Sequence, residues 1–65
     1  MTVGEMVNNG AFLFEVNYNV VKWEQHPFRK IYLFSNLATD KVPEAIERME
    51  IQHVVMYENY LEIEV

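Results

Sequence analysis

The chain opens on a short stretch in which Val3, Met6 and Val7 fall on one stripe at helical spacing. Thr2-Val-Gly-Glu5 has the spacing of a capping box, with Thr2 as the N-cap and Glu5 reaching back to its amide. Asn8-Asn9-Gly10 supplies residues that end a helix in a left-handed turn. From Ala11 to Trp23 the period changes to two. Phe12, Phe14, Val16, Tyr18 and Val20 fall on one side, with Glu15, Asn17 and Asn19 on the other, which predicts a long half-buried strand. The alternation breaks at Val20-Val21-Lys22-Trp23, where a bulge or strand end is expected.

Glu24-Gln-His-Pro27 reads as a turn, with Pro27 pushing His26 towards an extended conformation. Phe28 to Phe34 follows as a second strand, antiparallel to the first. Phe28, Lys30, Tyr32 and Phe34 share one of its faces, and Arg29, Ile31 and Leu33 the other. Ser35 to Asp40 is a polar connection. Pro43 suits the first position of a short helix running to Met49 or Glu50, with Ala45, Ile46 and Met49 inward and Glu44 paired with Arg48. Ile51–Tyr57 and Tyr60–Val65 then form a hairpin linked by Glu58-Asn59. Leu61, Ile63 and Val65 point one way along it, and Tyr60, Glu62 and Glu64 the other. The fold class predicted is α+β: a small, mostly antiparallel sheet of about four strands in the order α-β-β-α-β-β, with one or two short helices packed on one face.

Composition narrows the class further. The length of 65 residues allows one domain, spanning 1–65. Half the residues are apolar, which is too many for an acidic disordered segment. No apolar run approaches the roughly 20 residues of a membrane helix, and no basic stretch opens the chain as in a signal peptide. With no cysteine, there is no disulfide framework or thiolate site, and a reducing cytoplasm is the expected compartment.

The net charge of −5 opposes duplex DNA binding through phosphate contacts, and its distribution is uneven. Residues 1–41 carry four acids and four bases. Residues 42–65 carry Glu44, Glu47, Glu50, Glu58, Glu62 and Glu64 against Arg48 alone. The whole negative excess therefore lies in the last 24 residues.

Catalytic chemistry finds no support in the residue pattern. His26 and His53 lack a helical-spacing partner for a metal, and Ser35, His53 and Asp40 have neither a nucleophile elbow nor a glycine-lined oxyanion loop. The carboxylate pairs Glu44/Glu47 and Glu62/Glu64 lie on faces that read as solvent-exposed. No enzyme activity, metal or cofactor is predicted.

Two binding surfaces remain. The first is an acidic C-terminal surface of Glu44, Glu47, Glu58, Glu62 and Glu64, with Tyr57 and Tyr60 as anchors, suited to a protein partner with a basic surface. The alternative is an aromatic and basic hairpin, Lys22, Trp23, Phe28, Arg29, Lys30 and Tyr32, suited to single-stranded nucleic acid. Homodimerisation through an open sheet edge or a two-faced strand is the third expectation, because it would offset the small core. In size, acidity and lack of a chemical motif, the chain resembles small inhibitors encoded by phages and mobile elements, such as anti-CRISPR and DNA-mimic proteins. That resemblance covers charge and length, so it implies an inhibitor of a nucleic-acid-handling effector without transferring site residues.

Overall fold

A computed structural model describes residues 1–8, 17–37 and 41–65. The elements are α1 (Val3–Asn8), β1 (Asn17–Glu24), β2 (Arg29–Ser35), α2 (Glu44–Glu47), β3 (His53–Met56) and β4 (Tyr60–Glu64). The protein is α+β, and among the described residues four strands form one sheet in the order β2-β1-β4-β3. Positions 11 to 16 of the expected first strand, with Phe12, Phe14, Glu15 and Val16, lie outside the described residues, as do Asn9, Gly10 and positions 38 to 40.

Each end of the sheet is an antiparallel hairpin, β1 with β2 and β3 with β4. The central pairing is parallel, β1 beside β4 from Asn17 opposite Tyr60 to Val21 opposite Glu64. The sheet is therefore mixed, a point that alternation within single strands does not reveal.

The expected irregularity falls between Val20 and Val21, with its extra residue on the partner strand. Val20 faces Phe34 and Val21 faces Tyr32, so Leu33 is the unpaired position. This bulge corrects the predicted facing of β2. It puts Phe34 on the side of Tyr18, 6.0 Å away between ring centres, and leaves Tyr32 on the opposite side.

Val3 of α1 and Ile46 of α2 cluster with Tyr18, Val20, Leu61 and Ile63, which defines the core face of the sheet. Residues alternating with these strand positions, namely Asn19, Val21, Trp23, Tyr60, Glu62 and Glu64, belong to the far face. The helices meet closely. A Cβ on Gly4 would stand 3.0 Å from Glu47 Cβ, and the Asn8 amide donates to Glu47 Oε2 at 2.6 Å.

Several local readings change. Pro43 is the N-cap, with extended ψ of 144°, and the helix is the single turn Glu44–Glu47. Ala45 is exposed there, because so short a helix buries only Ile46. Phe28 belongs to the turn before β2, and His26, preceding a cis Pro27, has φ 75° where an extended value was expected.

The capping box forms: Thr2 N–H donates to Glu5 Oε1 at 3.0 Å, and Glu5 N–H donates to Thr2 Oγ1 at 3.2 Å. The first of these bonds is the main reason the Glu5 carboxyl sits below its usual range. A lowered carboxylate contributes stability above its unfolded value of 4.5, and that share is lost as pH falls through the folded value. Thr2→Ala is expected to cost about 1 kcal/mol at pH 7. Urea titration at pH 7 measures that loss. Titrations of the wild type and Glu5→Gln at pH 7 and pH 3 would show the gap between those two narrowing in acid, an equal gap at both ruling out the carboxylate's share.

Candidate functional site: the far face of the sheet

The far face is built around one charged pair. Glu62, at the centre of β4, is only 1% exposed. Lys30, on the far edge strand, extends across β1 so that its Nζ donates to Glu62 Oε1 at 2.8 Å. Tyr32 Oη donates to Glu62 Oε2 at 3.3 Å, so both carboxylate oxygens have partners. The Lys30 ammonium lies 5.5 Å from the Trp23 ring centre and 5.4 Å from that of Tyr32. Trp23 stacks in turn on Phe28 at 4.9 Å and 12°. Phe28, Trp23, Lys30 and Tyr32 thus form a continuous pile, held to β4 by Glu62. The bond to Glu62, reinforced by Tyr32, keeps the Lys30 ammonium protonated well above the ordinary lysine range.

At the other end of the same face, Tyr57 and Tyr60 stack at 4.8 Å and 17° across the β3–β4 turn. Glu58 lies exposed between them in sequence, with no cationic partner among the described residues. Tyr57 N–H donates to Tyr60 O at 2.8 Å and closes the turn. His53 Nδ1 is 3.9 Å from Glu64 Oε1 between the two ends.

Comparisons with family models, curated proteins and solved structures found no match.

Residues that the sequence divides between two rival surfaces share one face here: Trp23, Lys30 and Tyr32 from one set, Tyr57, Tyr60, Glu62 and Glu64 from the other. Glu44 and Glu47 do not join them, because α2 packs against the core face. Glu44 is ion-paired with Arg48. The expectation that Glu62 is solvent-exposed is corrected by its burial, since the charge it meets is 32 residues distant in sequence.

The basic hairpin also separates. Lys22 and Arg29 alternate with Trp23 and Lys30 and so point to the core-face side, where Arg29 is bonded to Glu24 at 3.1 Å. Of the strand cations Lys22, Arg29 and Lys30, only Lys30 lies on the far face, and its charge is met by Glu62. No three His, Cys, Asp or Glu side chains converge among the described residues to hold a metal. No helix among them is long and apolar enough to cross a membrane. The Lys30–Glu62 link is the feature that sequence reading misses. Its only signal is an opposite charge on each of two separate strands.

Proposed function

We propose that the chain is a small acidic protein-binding module without chemistry of its own, docking through the far face of its sheet. One observation carries this reading. Phe28, Tyr32, Trp23, Tyr57 and Tyr60 are all exposed on that face, at 71%, 60%, 39%, 42% and 37%. Exposed aromatics gathered on one side of a small domain are the usual anchors of a protein interface. The charge around them favours a partner with a basic surface, because Lys30 is neutralised while Glu58 is left uncompensated. An inhibitor docked on a nucleic-acid-handling effector, the class suggested by size and acidity, would meet such a surface. Neutralised cations count against the single-strand reading, which requires positive charge beside the stacking rings.

The test uses affinity capture from the native host with the wild-type chain and two double variants as bait. Phe28→Ala with Tyr60→Ala, both at exposed rings, is expected to lose the partner while keeping the wild-type circular dichroism. Glu44→Lys with Glu47→Lys, on the opposite layer, is expected to retain it. The reverse pattern would remove the far face as the docking surface. Trp23, the only tryptophan, reports the alternative directly. Oligothymidine should leave its fluorescence unchanged, and salt-sensitive quenching would establish nucleic-acid binding instead.

A further inference from the structure

The two edges of the sheet differ in kind. β2 carries Arg29 and Lys30, and the bulge at Leu33 breaks its line; both features hinder a foreign strand from pairing. β3 has neither defence. From Ile51 to Tyr57 the chain holds no charged residue, proline or glycine. Among the described residues, β3 pairs only with β4. Tyr57 N–H bonds to Tyr60, so alternation turns the backbone of residues 53, 55 and 57 towards β4 and that of Val54 and Met56 outward. Those same two residues carry exposed apolar side chains, 42% and 80% accessible, beside buried Ile63 and Leu61.

The free length of this edge has a definite start. Ile51 N–H donates to Met1 O and Val3 N–H to Met49 O, each at 2.9 Å, and Thr2 bridges Glu50. The first residues of the chain therefore occupy the strand as far as Ile51. Among the described residues, what remains open runs from His53 to Tyr57, with Val55 at its centre.

We infer that a second copy of this chain covers the edge, β3 against β3 antiparallel, about a two-fold axis through Val55 and normal to the sheet. The edge is complementary to itself about that point. Outward groups at Val54 meet those at Met56 of the partner, and the reverse, closing four backbone hydrogen bonds. The four exposed side chains then form one apolar cluster, and the two short sheets become one of eight strands. Charge selects this register. Centring the axis on Val54 would place Glu50 opposite Glu58 and collide with the N-terminal residues, whereas centring it on Met56 would lay Glu58 over Val54. Centred on Val55, Glu58 faces Gln52 and no two acids are opposed.

Absence of native cysteine allows a clean test. Val55 meets itself at a non-hydrogen-bonded pair, where Cα atoms are about 4.5 Å apart, inside disulfide range. Under mild oxidation Val55→Cys is expected to form a covalent dimer. Val54→Cys is not, because its own copy lies beyond the roughly 7 Å limit for a bridge. Sedimentation of the wild type at about 100 μM should give the dimer mass, and exposed Met56→Lys should give the monomer with an unchanged fold. A monomeric wild type, a dimer that survives Met56→Lys, or Val54→Cys cross-linking as readily as Val55→Cys would each overturn the pairing. The readout is mass and cross-linking, so its failure leaves the docking face untouched.

Discussion

Replacing Lys30 with methionine is expected to lower the melting temperature by roughly 10 °C, more than any other single change on the far face. The reason is the unequal burial of the pair. Lys30 is 24% exposed along its side chain and Glu62 only 1%. Removing the lysine leaves a carboxylate inside the protein with one hydroxyl for company. In Glu62→Gln, the lysine that loses its partner can turn its ammonium towards water, so the loss should be only a few degrees. The double variant Lys30→Met with Glu62→Met should recover most of the difference, because a packed apolar pair need not be poorer than a buried ionic one. Thermal melts at neutral pH rank the three proteins. If Lys30→Met and Glu62→Gln melt together, the carboxylate is not stranded and the pair is an ordinary surface bridge.

pH adds a second signature to the same experiment. A lysine held above its ordinary value stabilises the fold fully below pH 10.5, and the contribution fades only as pH rises through the higher folded value. The wild type should therefore keep this contribution at neutral pH and through the start of normal lysine titration.

The second large effect belongs to the core. Ile63 is fully buried, opposite Val20 on the parallel side and Val54 on the antiparallel side, and it joins Val3 and Ile46 in the cluster. Truncation to alanine at such a site costs about 2–5 kcal/mol. A chain of this length has a total of only about 3–10 kcal/mol to lose. Ile63→Ala is expected to be partly unfolded at room temperature, while Ile63→Val, costing about 1 kcal/mol, stays folded. Urea titration should show the midpoint falling at constant slope in the valine variant. An alanine variant that loses less than about 1 kcal/mol would place the centre of the core elsewhere.

Legibility in this sequence follows the range of the interaction. The Thr2–Glu5 box and the Glu44–Arg48 pair depend on spacings of three and four residues, so they are readable at sight. Alternation separates Leu61 and Ile63 from Glu62 and Glu64, but it says only that the latter lie on the other face. It assigns that face to water. Burial of Glu62 depends on a lysine from a different strand, and no local pattern announces it. The facing of Phe34 fails for a similar reason. Leu33 looks like any strand residue, and only its lack of a partner on β1 makes it a bulge. The aromatics were visible as candidates, but their union on one face required the parallel contact between β1 and β4.

That parallel contact also governs how the fold comes together. Each hairpin closes over a few residues, yet neither two-stranded ribbon is stable alone in water. Asn17 and Tyr60 meet only after a loop of roughly forty residues has been drawn in, at an entropic cost of about 3 kcal/mol. The hairpins gain a shared core only when that loop closes. With neither ribbon stable alone, the two hairpins and the parallel pairing between them are expected to form and to melt together, as one cooperative transition.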